Sequence, residues 1–399
     1  MTRLSTAHAF DAPLQQLQRR QRELSESQLQ LTSGKRVNRA SDDPSAAARA
    51  ERALADVSRV QADQRAVEAS RGLMAQTESA LGEAGDLLQR ARELVVAAGN
   101  ASYTDNERVN LANELKGIRA QLLSVANRGD GAGRYLFGGQ GSALPPFVDA
   151  PGGVAFRGMA GTTEAAGHEQ LPLAVDGSAM WLAARTGNGI FETRVAASTG
   201  DAWIDAGQVV DPAALTGSTY RIEFATAAGT TTYSVLRDGA PTAQTGMPYV
   251  ANQSIEVDGM SVTVAGVPAA GDAFELRPST PSLSVFDVLD RTVAELSTPL
   301  RSNAQVAQTN LMSLRDIDQS MLRLSSARAD AGGTLHRIDS VTDRQGARVL
   351  AGQTERSNAE DLDMVHAISD FQAKQSGYDA ALRSYAMVQR LSLFQYLNI

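Results

Sequence analysis

The sequence contains no cysteine, which excludes disulfides and thiolate metal sites. A cysteine-free chain crosses between redox compartments without forming wrong bridges. Histidine is scarce: His8, His168, His336 and His366 sit in unrelated segments with no HExxH or comparable ligand spacing, and read as packing or solvated residues. Aromatics make up 5% of the chain, and both tryptophans, Trp181 and Trp203, lie in its middle third. There is no basic excess, because the net charge is -8 with the signs mixed along most of the chain. A nucleic-acid or anionic-membrane partner would need a basic face, so neither is expected. No apolar run is long enough to span a bilayer. The start, "MTRLSTAHAFDAPLQQLQRR", lacks an apolar segment and a small-residue cleavage site, so a cleaved secretory signal is not expected.

What is present divides the chain by composition. Residues 1 to about 130 are rich in Ala, Leu, Gln and Arg, and residues from about 284 to 399 repeat that character. The middle, 131–283, is dense in Gly, Thr, Val and Pro, the residues of turns and strands. The expected fold class is mainly α with an inserted β region: an elongated helical bundle and coiled coil formed by both chain ends, carrying a small projecting β domain. Five segments follow: an N-terminal coiled-coil helix at 1–36, a helical hairpin at 43–130, the outer β domain at 131–283, the returning bundle helix at 284–350 and a C-terminal coiled-coil helix at 355–399.

The terminal helices carry a period. Phe10, Leu14, Leu17, Gln21, Leu24, Gln28 and Leu31 alternate steps of four and three, the seam of a coiled coil. Met364, Ile368, Phe371, Gln375, Tyr378, Leu382 and Tyr385 repeat it at the other end. The backbone entropy of ordering the first helix exceeds what its apolar stripe returns, so it needs partner helices, and with them partner molecules. The glutamines lower the affinity of such a seam while fixing its register. Pro13 falls inside the first seam and predicts a delayed helix start, with Asp11 or Ala12 as the cap.

Between the first helix and the next lies "LTSGKRVNRASDDPSAAARA" at 31–50, a Gly, a basic pair and a run of turn formers. Asp43 with Pro44 reads as a cap followed by proline at the first helical position. The long helix that follows reaches Asn100, and Thr104 with Glu107 forms the capping box of the next. There Leu111, Leu115, Ile118, Leu122 and Val125 keep the four-three alternation. From the far end Leu314, Ile317, Met321, Leu324, Leu335 and Ile338 continue it, with Arg328 and Ala331 at the intervening positions. In the middle, Tyr220, Ile222 and Phe224 alternate before "ATAAGTTT", and Tyr233 and Val235 after it, predicting a hairpin. Asp258-Gly259 between Ile255-Val257 and Val262-Val264 predicts a second, and Phe274 and Leu276 a further strand.

Chemistry is hard to find in this pattern. "GDGAGRYLFGGQGSA" is glycine-rich, but matches neither a dinucleotide fingerprint nor a phosphate loop and follows a helix rather than a strand. No GxSxG elbow occurs. Asp42-Asp43 sits in a cap, and Lys35-Arg36 is too small a basic patch for nucleic acid. An enzyme housed in the β region and using Asp201, Asp205 or Asp272 is the reading from another class, and their spacing does not support it. No catalytic, cofactor-binding or metal-ligating residue is assigned, and no cofactor is expected.

The 31–50 stretch resembles the signature that follows the first helix in the flagellin superfamily, and its "SDDP" with the following alanines is similar to the hook-filament junction members of that family. "GRYLFGGQGSALPPF" at 133–147, "VAGVPAAGDAFELRPS" at 264–279 and the tail "YAMVQRLSLFQYL" at 385–397 resemble further segments of the same members. The resemblance implies a structural adaptor without catalysis, exported unfolded through the flagellar type III channel without a cleaved signal and assembled extracellularly as a ring at the hook-filament junction. It implies terminal helices that order as coiled coils in the tube wall. The assembly interface would then comprise Phe10, Leu14, Leu17, Leu24, Leu31, Ile368, Phe371, Tyr378, Leu382, Tyr385, Leu391, Phe394 and Leu397. The partners implied are further copies of the chain, a second hook-associated junction protein on the hook side, flagellin or another junction layer on the filament side, and an export chaperone at the C-terminal helix. The alternative within the superfamily is flagellin, the bulk filament subunit, against which Pro44, "YLFGG" and "SLFQYL" count.

Overall fold

A computed structural model describes residues 6–164, 170–227 and 229–397, with side chains described between 11 and 387 of that span. The chain divides into a terminal unit, Met1–Arg65 with Thr342–Ile399, and a central unit, Ala66–Val341. Helices α2 (Pro44–Ala98) and α6 (Asn303–Glu360) each run through both.

In the central unit α2 and α6 pack with α3 (Asp105–Ala126) and α5 (Val285–Leu296) around one apolar core that includes Leu81, Leu88, Leu115, Leu122, Leu289, Ile317 and Leu324. The start of α3 is the capping box expected from its sequence: the Glu107 amide donates to Thr104 Oγ1 at 3.4 Å, and the Thr104 amide donates to Glu107 Oε2 at 2.7 Å. Two orphan donors of the first turn are thereby satisfied. On α6 the buried positions include Ile317, Leu324, Ala331 and Ile338, but the intervening residue is Ala327. Arg328, expected in the seam, is exposed and pairs with Glu78 at 2.6 Å. The reason is desolvation: a guanidinium one residue from the core finds a carboxylate at the rim, whereas inside it would stand unpaired.

The inserted region 131–283 is two things rather than one. Its first part joins the bundle core, which holds Leu136, Phe137, Phe147, Leu171 and Trp181, the last ending the short helix α4 (Gly177–Trp181). Trp181 stacks on Phe286 of α5 with ring centroids 5.9 Å apart, and Phe137 meets it edge-on at 5.5 Å. Large aromatic area drew this segment onto the helices despite its glycines. The remainder, Phe191–Pro278, builds antiparallel sheets around a second core of Phe191, Ile204, Tyr220, Ile222, Phe224, Val262, Phe274 and Leu276. Both expected hairpins form there, Tyr220–Ala227 with Thr230–Arg237 and Ser254–Val257 with Met260–Val267. The turn of the second puts Asp258 at φ 40° and Gly259 at φ 79°, and a Cβ on Gly259 would lie 2.1 Å from the Asp211 carbonyl oxygen. Only glycine fits there. Helix α6 holds this β part by polar side chains: Gln308 bonds both the amide and the carbonyl of Ile204, at 2.8 and 3.2 Å, and Arg315 donates to the Thr193 carbonyl at 3.1 Å.

In the terminal unit the beginning of α2 faces the end of α6 through small residues, Ala46, Ala50, Ala53, Val57 and Val60, with Gly352 opposite. A Cβ on Gly352 would meet Val57 Cγ2 at 2.7 Å, so the glycine sets how closely the helices approach. Two sequence expectations are corrected here. α6 is continuous to Glu360, so the division expected at 350–355 falls inside a helix and the interruption comes at 361–363, before α7 (Met364–Leu397). α1 runs Thr6–Ser33 with Pro13 inside it, rather than starting at the proline. The missing N–H of Pro13 forfeits a single bond, to the Ala9 carbonyl, and the helix continues past it.

Candidate assembly interface

α1 and α7 pack against each other in antiparallel order. The direction follows from three levels: Lys35 bridges Asp361 at one end, Lys374 Nζ donates to Ser27 Oγ at 2.8 Å midway, and Pro13, Leu17, Ala381 and Tyr385 line one groove toward the other end. α1 therefore has a partner within its own chain, in keeping with the expected coiled coil of both chain ends.

The face that α1 turns inward differs from the expected seam by one residue. Leu17 is buried and Leu24 and Leu31 are half-buried, as expected; between them, however, it is Pro13, Arg20 and Ser27 that are covered, while Leu14, Gln21 and Gln28 are exposed. α7 shows the same shift. Phe371, Tyr378 and Tyr385 are half-buried as expected, but they alternate with Ala367, Lys374 and Ala381, and Met364, Ile368, Gln375 and Leu382 are exposed. Each helix thus has one central row shared by two possible seams. The flank used within the chain lies on one side of that row and the unused flank on the other. In an antiparallel pair, equivalent positions on the two helices fall on the same side, because the twofold axis relating them is perpendicular to the plane of the pair. The two unused flanks accordingly form one face, in which Leu14, Ile368 and Leu382 are 44%, 46% and 41% exposed and Gln21, Gln28 and Gln375 lie between them. The side chains of Phe10, Leu391, Phe394 and Leu397 lie outside the described residues.

Several contacts in this pair carried no apolar signal. A Cβ on Gly377 would stand 2.5 Å from Arg20 Nη1, so the glycine makes room for the arginine to lie across α7. Lys374 is held by Asp370 at 2.7 Å as well as by Ser27. Long polar side chains cover apolar surface with their stems while keeping the charge in water, and a hydrophobic pattern does not register them.

The basic pair and the capping aspartates of 31–50 are occupied locally. Asp43 accepts from the amides of Ala46 and Ser45 and pairs with Arg36 at 3.2 Å. The Ala46 amide above all, then the Ser45 and Arg36 side chains, hold its carboxyl down at about 2. Asp205 and Asp272 in the β part are likewise turn acceptors: Asp205 takes the amides of Gly207 and Thr263, and Asp272 those of Thr199, Gly200 and Ala269. Burial pushes the Asp272 carboxyl up, but those donors outweigh it and hold it below the ordinary range. Acceptor lone pairs committed to backbone amides are poorly placed for acid-base work. Among the described residues no group of three or more His, Asp or Glu is arranged to hold a metal, and no helix is long and apolar enough to cross a membrane.

Comparison with known proteins adds the context of this arrangement. The family model for the bacterial flagellin N-terminal helical region matches residues 4–142. Flagellar hook-associated protein 3 of Salmonella typhimurium is 25% identical over 98% of this chain and 99% of that protein. The protein of the same name from Escherichia coli is 25% identical over 92% of this chain and 90% of its own length. Flagellins match less of the chain: that of Bacillus subtilis is 31% identical over 27% of this chain and 36% of that protein. Among solved structures, the flagellar hook-associated protein-3 of Legionella pneumophila superposes with a TM-score of 0.70 at 25% identity, over 76% of this chain and 96% of that one. FlgL of Xanthomonas campestris does so at 0.69 and 28%, over 77% and 99%.

Proposed function

We propose that this chain, which belongs to the family of flagellar hook-associated protein 3, is a structural subunit of the bacterial flagellum at the junction of hook and filament. Its assembly surface is the face of the α1/α7 pair formed by Leu14, Gln21, Gln28, Ile368, Gln375 and Leu382. One observation carries the assignment of that face: two terminal helices satisfy each other through one flank and leave a second, equally periodic flank open on one side. A lone amphipathic pair that stayed monomeric would have no reason to keep apolar residues at coiled-coil spacing on its outside. Copies of the chain arranged in a ring would cover the face with their own terminal helices. Polar glutamine layers would set the register between them at some cost in affinity. A hook-side junction protein and a filament-side layer are the neighbours above and below, and an export chaperone would cover α7 before secretion. The role is one of shape and contact rather than catalysis, and the place of action is the flagellum outside the cell.

The flagellin reading is less favoured because the flagellins match about a quarter of the chain, whereas the hook-associated relatives match nearly all of it. The test is electron microscopy of cells lacking the protein, with the growth medium probed for flagellin. Bare hooks and shed flagellin are expected. Normal filaments would sink the assignment. Complementation with Leu14→Asp and Ile368→Asp together should fail although the secreted protein keeps its helix content; restored filaments would acquit the face alone.

A further inference from the structure

The interruption between α1 and α2 and the one between α6 and α7 lie side by side in the terminal unit. Gly34 leaves α1 at φ +70°, and its carbonyl accepts the Leu362 amide at 3.0 Å. The amides of Arg36 and Val37 both donate to the Glu360 carbonyl, at 2.7 and 3.3 Å. The Glu360 side chain, 14% exposed, pairs with Lys35 Nζ at 3.1 Å and with Arg356 Nε at 2.8 Å. Arg36 reaches back to the last turn of α6, donating to the Ala359 carbonyl at 2.8 Å.

We infer that Glu360 is the positioning residue of a two-stranded joint that couples α1 to α7, so that the two terminal helices dock and release as one element rather than separately. Glu360 takes two amides of the strand leaving α1 on its carbonyl and a cation of the same strand on its carboxylate. It thus sits where the helices begin to face each other. The seam beyond it is thin, with Leu17 and Ser27 its buried side chains among the described residues of α1 and with charged Arg20 and Lys374 in adjacent layers. A pair this weakly apolar is marginal unless its closed end is held, because the first contacts of a helix pair are the costly ones and each later layer adds to a register already set. Neutralising Glu360 removes the mostly buried carboxylate that Lys35 and Arg356 share; both cations are more than a third exposed, so solvent screens part of that loss. Arg356 lies on α6 itself, so its pair with Glu360 steadies the last turn of that helix; the pair with Lys35 reaches across to α1.

The test is hydrogen exchange on the purified full chain at low salt, read peptide by peptide. Glu360→Gln should speed exchange in α1 and α7 together by about tenfold, the factor that corresponds to roughly 1.4 kcal/mol. Peptides of Ala66–Val341 and the melting of that unit should not move, which shows that the variant is folded. Lys35→Met should produce the same paired change, and Arg356→Met should leave α1 protected. Protection of α1 unchanged in both Glu360→Gln and Lys35→Met, or α1 loosening while α7 stays protected, would overturn the inference. Because the readout is the single chain in solution, its failure is distinct from failure of the junction assignment, which is read on cells.

Discussion

The central and terminal units draw on the same helical alphabet and hold together by different means. In Ala66–Val341 four helices close around leucines and a nest of aromatic rings, and buried polar side chains such as Thr292, Arg315 and Asp316 are held there by hydrogen bonds and ion pairs. In the terminal unit the helices meet two at a time, through alanines and a glycine in α2/α6 and through a seam that admits Arg20, Ser27 and Lys374 in α1/α7. A helix surrounded on several sides can bury a wide stripe, while a helix with one neighbour can bury only a narrow one. The difference teaches what each part is suited to. The first encloses its large apolar side chains on several sides; the second leaves apolar side chains such as Leu14, Ile368 and Leu382 exposed.

The sharpest way to break this comparison is in the central core. Phe286→Ala, which removes a ring from the aromatic nest, should cost about 3–5 kcal/mol in urea denaturation of the central unit. A loss under about 1 kcal/mol would mean that this core is no better packed than the terminal pair. Leu17→Asp with Leu24→Asp should release α1 from α7 and abolish assembly while the thermal melt of the central unit stays where it was. A lowered central melt would show that α1 belongs to that core after all. Smaller is the loss of a cap. Thr104→Ala should cost about 1 kcal/mol, seen as a lower urea midpoint with an unchanged slope.

The smallest effect is one of pH, and it lies in the terminal unit. The folded carboxyl of Asp43 sits at about 2 against an ordinary 3.8. A depressed folded value stabilises above the unfolded value and is lost as pH falls through the folded one, so the start of α2 should hold above about pH 4 and fray between there and pH 2. Amide exchange of Ser45–Ala47, corrected for intrinsic rates, would show it. Asp43→Asn, which can still accept the Ala46 amide but does not titrate, should flatten that dependence; an undiminished pH response would place its origin elsewhere.

Much of the architecture is legible in the amino-acid order. The capping box at Thr104 and Glu107, the Asp43-Pro44 start and the Asp258-Gly259 turn are local agreements between a side chain and its own backbone, and they form as read. Local chemistry of this kind survives any tertiary context that tolerates it. The β part was legible for a similar reason, since the period of two marks a half-covered strand. Of the stripe read from the sequence, Leu17, Leu24, Phe371, Tyr378 and Tyr385 lie toward the helix of the same chain, while Leu14, Ile368 and Leu382 stay exposed beside them. A four-three alternation defines a stripe but leaves open which edge of it turns inward when both edges carry suitable residues.

The amino-acid order was sufficient for the helices, their caps, the hairpin turns and the existence of periodic terminal stripes, because each of these is decided within a few residues. Which stripe faces the chain's own partner, that residues 131–185 join the helical core, and that the two chain breaks meet at Glu360 depended on long-range packing. Those outcomes follow from sharing out limited buried surface among segments more than 300 residues apart, Lys35 and Glu360 among them, and no local pattern records how that competition ends.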